Sequence, residues 1–342
     1  MHSNPQVTVA IPVYNVEAYV ARCISSVFNQ DYQNIDILIT YDISEDNSLD
    51  VTYDILKKGV MPYRIIEKIA EDKGPGKSRN IILDNFKGDY LFFLDSDDFI
   101  APFTISLLVQ EAVTNDADIV AASHRSVDEA GNEINVFQYP NKIIFDNRSL
   151  RNYVNVENGY FSVYSWNKLY KSSFLKEKNI RYIHDIVEDA VFSFLEIKKI
   201  NKIVLLPDIT LNYLIRGSSI TNAMMYNNLS LDTARIYLSV RDYKYLSNEG
   251  STELEAICSN VDAFLFGYTM IVRNCYLSKY ISSEEKLNLC QLAFVTPSLP
   301  FKYFFPLLYS KKTSLILLFM VKILHFRLNM LLVKLYHKIK TV

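Results

Sequence analysis

Four short apolar runs in the first hundred residues, each ending in a polar loop, constrain what this chain can fold into more than any other feature. Val7-Thr8-Val9-Ala10-Ile11-Pro12 is followed by Val13-Tyr14-Asn15 and a helix expected from about Glu17 to Asn29, where Val20, Cys23, Ile24, Val27 and Phe28 recur at helical spacing. Ile35–Tyr41 ends at Asp42, and the loop Ser44-Glu45-Asp46-Asn47-Ser48, rich in capping residues, opens a helix to about Lys58. A strand at Tyr63–Glu67 leads to Lys73-Gly74-Pro75-Gly76-Lys77-Ser78-Arg79-Asn80, a turn that opens the next helix. The fourth run, Tyr90-Leu91-Phe92-Phe93-Leu94, is entered through Gly88-Asp89. Such alternation predicts an α/β fold, Rossmann-like, with a mostly parallel central sheet and helices on both faces.

Directly after the fourth run come Asp95-Ser96-Asp97-Asp98. Open α/β sheets bind ligands beyond the carboxyl ends of their strands. Carboxylates there suit a hard cation, Mn2+ or Mg2+, which takes its remaining ligands from water and phosphate. Read alone, the same residues describe a solvated turn capping the next helix. The loops at Pro12–Asn15 and Asp42–Asn47 are expected at the same sheet edge, and three converging polar loops favour a site. Gly74 and Gly76 allow close backbone approach, and Lys77 and Arg79 bring positive charge for a phosphate or base. The GxxxxGK[ST] pattern of a P-loop is absent.

The 342 residues suffice for one large or two modest domains. Net charge is −2, which gives no global argument for nucleic-acid binding. Charge is unevenly spread: from residue 301 onward there are eight Lys/Arg and no Asp or Glu. The four cysteines are widely spaced without a CxxC pair, so neither zinc nor a disulfide framework is indicated and a reducing cytoplasm is expected. No charged segment followed by an apolar one marks a secretory signal at the N-terminus.

The series Val9-Ala10-Ile11-Pro12-Val13-Tyr14-Asn15, Asp42 with Asp46-Asn47-Ser48, Gly74-Pro75-Gly76 with Arg79-Asn80, and Phe93-Leu94-Asp95-Ser96-Asp97-Asp98 resembles the family 2 glycosyltransferases of GT-A fold, of the bacterial surface or exopolysaccharide type. The resemblance covers residues 7 to about 125 firmly and continues to about 222 through Trp166-Asn167-Lys168-Leu169-Tyr170, Glu188-Asp189 and Tyr213–Ile220. It implies transfer of a sugar from a nucleoside diphosphate donor with inversion. Carried onto this chain, Pro12, Tyr14 and Asn15 line the nucleotide with Gly76 and Ser96, and Asp42 and Arg79 read a pyrimidine base. Asp95 lies near ribose and metal, and Asp97 holds the cation that bridges the diphosphate. The family commonly has Gly after the aspartate of the second strand and Thr two positions later; here Ile43 and Glu45 stand.

Displacement of a nucleoside diphosphate by a hydroxyl needs charge neutralisation on the leaving group and a base across the sugar. Glu188-Asp189 opens an apolar-periodic helix, where the bland reading is carboxylates favoured by the macrodipole. In the family context Asp189 is the expected base and Glu188 its neighbour or an acceptor contact. Trp166, the only tryptophan, with Asn167 and Lys168 offers an aromatic face, an amide and a cation to sugar or phosphate, while a lone Trp also reads as core. Arg216, in a Gly-Ser-rich loop, is placed to close over the diphosphate, or is simply a surface arginine. His124 and His184 are further metal-ligand candidates, with a structural role as the alternative.

Residues 124–160 read as a strand pair with a turn at 129–132 and a short helix. The expected domains are a catalytic domain over 1–222, its nucleotide half ending near 125, a helical appendage over 223–300 and a basic amphipathic tail over 301–342. In the tail Leu317, Val321, Leu324, Leu328, Leu331 and Leu335 form a stripe, with Lys322, Arg327, Lys334, Lys338 and Lys340 off it. It predicts binding to an anionic membrane surface through 311–340, or a heptad-like seam that packs on the body or on another copy as a homo-oligomer. The expectation is a glycosyltransferase on the cytoplasmic face of the membrane, acting on a lipid-linked or oligosaccharide acceptor. The rival readings are a sugar nucleotidyltransferase and a catalytically idle nucleotide-sugar-binding partner in a polysaccharide assembly.

Overall fold

The computed structural model describes residues 4–157, 159–183, 188–216, 230–248, 251, 253–268, 271 and 278–293. The chain runs β1 (Val7–Val13), α1 (Val20–Phe28), β2 (Ile35–Tyr41), α2 (Ser48–Leu56), β3 (Tyr63–Glu67), α3 (Pro75–Asn85), β4 (Tyr90–Phe93), β5 (Phe99–Ile100) and α4 (Thr104–Asn115). It continues through β6 (Ile119–Val127), β7 (Glu133–Phe137), β8 (Lys142–Phe145), α5 (Asn147–Asn155), β9 (Lys168–Lys171), α6 (Ser172–Glu177), α7 (Glu188–Lys199) and β10 (Lys202–Leu214). Helices α8 (Leu231–Ser247), α9 (Leu254–Tyr268) and α10 (Ser283–Ala293) follow. Two compact units result, one drawn from Met1–Ser149 and Ser162–Arg216, the other from Leu150–Phe161 and Gly217–Val342.

The first unit holds a sheet of order β3-β2-β1-β4-β9-β6-β10-β5, with β7 beside β6 and β8 beside β10. β1 to β4 are parallel neighbours, β9 enters antiparallel between β4 and β6, and β6 and β10 again run with the first block. Six of the ten strands therefore point one way, as the strand–helix alternation predicts. The carboxyl ends of β1, β2 and β4 lie side by side, so the three polar loops share one edge.

Every residue of β2 and β4 is buried, because helices or further chain cover both sheet faces. Val9, Ile37 and Phe92 face the helices α1 and α4 through Val20, Ile24 and Leu108. On the opposite face Phe93 meets the edges of Tyr170, Tyr182 and Phe192 at 6.0–6.5 Å between centroids. Burying each such side chain contributes about 1.5–3 kcal/mol. Asp36, buried inside β2, is tolerated because Thr8 Oγ1 donates to it at 2.8 Å and Arg64 pairs with it at 3.2 Å.

α1 begins at Val20, three residues after the expected start. The N–H groups of Val16 and Glu17 turn instead to Ser48 Oγ (2.8 Å) and the Asp46 carboxylate (2.9 Å) on the neighbouring loop. The strand pair predicted after residue 124 is β6 and β7, antiparallel about the turn at Asp128–Asn132.

In the second unit α8 is capped by Ser230, whose hydroxyl accepts from Thr233 N at 3.1 Å. Ser282 and Glu285 form a reciprocal capping box at the start of α10. Arg151 of α5 pairs with Glu253 at 3.1 Å. The expected boundary at 222, the whole segment 301–342 and His184 lie outside the described residues. No described helix is long and apolar enough to cross a membrane.

Candidate active site

Each side chain at the shared edge is placed by the strand or helix terminus before it. Asp95, Ser96, Asp97 and Asp98 turn away from β4, with Asp98 N returning to Asp95 O at 3.0 Å. Arg79, on α3, is 5% exposed, and its forked guanidinium binds Asp95 Oδ1 at 2.8 Å and Glu188 Oε1 at 2.7 Å. One arginine thus joins the carboxylate after β4 to the first turn of α7, 109 residues away in sequence.

Arg216 Nε lies 2.9 Å from Asp97 Oδ2, and its guanidinium carbon stands 5.1 Å from the Tyr19 ring centre. Arg22 Nη2 donates to the Asp97 carbonyl at 3.3 Å. Asp98 is fully buried; its Oδ1 accepts from Leu214 N at 2.8 Å, while Oδ2 has no hydrogen-bond partner among the described residues. Burial and the neighbouring carboxylates Asp97 and Asp95 push the Asp98 carboxyl well up. Burial likewise pushes Glu188 up to about 7, with Arg79 opposing and Asp189 adding. Burial raises Asp189 too, against Arg79, and Ser165 Oγ donates to its Oδ1 at 2.9 Å.

The edge after β2 is tied together by Lys68, which follows β3. Its ammonium pairs with Asp42 and donates to Gly74 O (3.0 Å) and Ser78 Oγ (2.7 Å). Asp42 also accepts the Gly74 N–H at 3.1 Å, ahead of the first turn of α3. Gly74 has φ 129°, a conformation that glycine alone adopts readily, and Gly76 is buried in that turn. Asp42 stands at the expected edge, but its two oxygens are engaged within the protein and organise the loop. Tyr14 lies under the Lys73 ammonium at 4.6 Å, and Pro12 is the one half-buried residue of the otherwise buried β1. Asn15, at φ 50°, accepts from Glu45 N at 2.9 Å.

The expected Trp166-Asn167-Lys168 recognition set is corrected by the structure. Trp166 is 3% exposed and stacked on Tyr164 and Tyr213 at 4.8 and 5.4 Å. Asn167 Nδ2 donates to Ala122 O and Ser123 O, and its Oδ1 accepts from Thr210. Lys168 is buried with its ammonium 2.7 Å from Glu196. Their polar groups hold the sheet together and are not offered to a ligand. His124 is also packed inward, between Phe137 and Trp166, and burial lowers its pKa to about 4. Among the described residues no three His, Cys, Asp or Glu side chains group as a ready-made metal site.

Lys68, Ser165 and Glu196 were missed in the sequence, and Asp98 was read there only as one of the carboxylates after β4, without a role of its own. A lysine directly after a strand beside a GPG turn, and a glutamate in helical phase with Phe192, were readable signals for two of them.

The sequence model described as "Glycosyl transferase family 2" matches residues 8–178, half of the chain. The chain belongs to this family. Glycosyltransferase GlyA of Streptococcus pneumoniae is 32% identical over 182 residues, 50% of this chain and 25% of that protein. The poly(ribitol-phosphate) beta-glucosyltransferase of Bacillus spizizenii is 29% identical over 215 residues, 62% of this chain and 32% of that one. The matches thus span a quarter to a third of these relatives. In fold, the chain is similar to Staphylococcus aureus TarS 1-349, solved in complex with UDP-GlcNAc, at TM-score 0.65 and 16% identity over 97% of this chain and 92% of that chain.

Proposed function

We propose that this family member is an inverting glycosyltransferase that moves a sugar from a nucleoside diphosphate sugar, a UDP-sugar, to a hydroxyl of a polysaccharide or lipid-linked acceptor. The observation that carries the reading is the Arg79 bridge, which couples the Asp95 edge to the Glu188-Asp189 pair. Donor-side and base-side carboxylates are thereby part of one constellation. A UDP donor is supported by the TarS complex with UDP-GlcNAc, and a polymer acceptor by the name of the Bacillus relative.

The residues fit a divalent cation. Asp97 and Asp95 lie near enough to raise the buried Asp98 carboxyl, whose Oδ2 is unpartnered among the described residues. Asp97 and Asp95 would hold Mn2+ or Mg2+, which when bound neutralises charge on the leaving diphosphate. Arg216 reaches Asp97 now and is positioned to meet a phosphate brought to the same carboxylate. Asp189 takes the proton of the acceptor hydroxyl as the new bond to the anomeric carbon forms and the bond to the diphosphate oxygen breaks. General base catalysis of this kind is worth about 10²–10⁴-fold.

The test is a calorimetric panel of UDP-, GDP-, dTDP- and CMP-sugars with and without Mn2+, followed by turnover of Asp189→Asn. Metal-dependent binding of a UDP-sugar and loss of transfer in Asp189→Asn are expected. Binding without transfer by the parent chain supports the idle-partner reading, and release of pyrophosphate the nucleotidyltransferase. The apolar stripe of 311–340 with its flanking basic residues supports peripheral association with an anionic inner membrane face. Unchanged co-sedimentation with anionic vesicles after removal of residues 311–342 overturns that assignment.

A further inference from the structure

We infer that Ser165 is a positioning residue for Asp189, and that the buried Lys168, Glu196 and Tyr170 side chains hold Ser165 in place. The inference rests on the reading of Asp189 as the base. Ser165 is fully buried, and its hydroxyl donates to Asp189 Oδ1 at 2.9 Å. Tyr170 OH lies 3.1 Å from the Ser165 carbonyl. Three residues earlier, the Ser162 carbonyl accepts from Lys168 Nζ at 2.9 Å.

Both donors converge on one carboxylate. Lys168 Nζ lies 2.7 Å from Glu196 Oε2, and Tyr170 OH lies 2.6 Å from Oε1. Lys168, Tyr170 and Glu196 are each 0–1% exposed, so this cluster is part of the interior. Lys168 carries three protons and donates to Glu196 Oε2 and the Ser162 carbonyl together, so it ties the segment 162–165 to α7. Tyr170 has one proton, directed to the nearer Glu196 Oε1, and packs beside the Ser165 carbonyl.

The sequence positions give the arrangement its purpose. Asp189 and Glu196 belong to the same helix, α7, seven residues or about two turns apart. The helix that carries the base at its N-terminus also carries the carboxylate that anchors the base's partner. Asp189 and Ser165 are thus referred to one rigid element, and their separation does not depend on the course of the intervening chain. A buried Lys–Glu pair adds little stability over an apolar pair of the same volume. Here it directs a hydrogen bond from Lys168 to the Ser162 backbone carbonyl.

For the reaction, the consequence concerns orientation. A carboxylate with neither oxygen held rotates about its last torsion, which is broad. With Oδ1 held by Ser165, Oδ2 keeps a set direction in which to receive the acceptor proton. The same hydrogen bond favours the charged form of Asp189, opposing the effect of burial.

The experiment compares Ser165→Ala, Ser165→Thr, Glu196→Gln and Asp189→Asn in the full chain with Mn2+. UDP release from UDP-GlcNAc gives kcat and KM, calorimetry gives UDP affinity, and urea unfolding gives stability. Ser165→Ala is expected to lower kcat about 10- to 100-fold with KM, UDP affinity and unfolding midpoint nearly unchanged, and Ser165→Thr to restore most of it. Glu196→Gln, which keeps the shape and weakens the grip on Lys168, is expected to lower kcat in the same direction. The inference is overturned if Ser165→Ala turns over at the parent rate, or if its kcat and stability fall together without rescue by Thr. Asp189→Asn at the parent rate overturns the base assignment itself, whatever Ser165→Ala does.

Discussion

Arg216 Nε stands 2.9 Å from Asp97 Oδ2, so the carboxylate proposed to hold the cation already carries an arginine as its counter-charge. Asp97→Ala is therefore expected to remove the increase in UDP-sugar affinity that Mn2+ gives, by about tenfold or more, while metal-free binding changes little. Calorimetry with and without Mn2+ measures both numbers on one sample.

Arg79 is the second such counter-charge, and it is buried. Its fork serves Asp95 and Glu188 at once, at 2.8 and 2.7 Å, which a lysine ammonium on a single point cannot reproduce. Arg79→Met leaves two partly buried carboxylates without their partner and is expected to cost about 3–5 kcal/mol of stability. Arg79→Lys is expected to fall between the two. Urea unfolding at pH 7 distinguishes the three chains.

The Lys168–Glu196 pair makes a different prediction, because both partners are fully enclosed. Lys168→Met alone is expected to destabilise by about 3–5 kcal/mol through the stranded glutamate. Adding Glu196→Leu should recover much of that loss, and a double-mutant cycle by chemical denaturation reads the coupling directly.

His124 gives a pH dependence. Burial lowers its pKa from the ordinary 6.5 to about 4, so between these values the unfolded chain binds a proton that the folded chain does not. Stability accordingly rises with pH through this window and falls as the solution is acidified from 6.5 towards 4. His124→Gln is expected to flatten this part of the stability profile, measured as the urea midpoint at successive pH values.

How much of this was legible depended on range. β2 and β3 occur with the bounds their apolar runs gave, and the loops after β1, β2 and β4 share an edge because parallel neighbours align their ends. The parallel block is a local pattern repeated, so it can be read. Contacts such as Arg79 with Glu188 join residues 109 apart and depend on how α7 packs, which no spacing encodes. Trp166-Asn167-Lys168 misled for the same reason. Its side-chain chemistry suits a ligand, but Glu196 and the carbonyls of β6 claim it from within. The late start of α1 has a similar origin, since its preceding N–H groups are taken by a loop on another strand.

The two loops after β1 and β2 are sewn together in both directions. Asn15 N donates to Ser44 Oγ at 3.1 Å and Asn15 Oδ1 accepts from Glu45 N at 2.9 Å, while Glu17 exchanges bonds with Asp46 and Asn47. Anyone re-engineering nucleotide preference by transplanting loops from a relative would thus have to move both as a single cassette. A donor loop inserted alone would arrive without the stitches its neighbour supplies, and diversity libraries built on one loop would mostly sample broken seams.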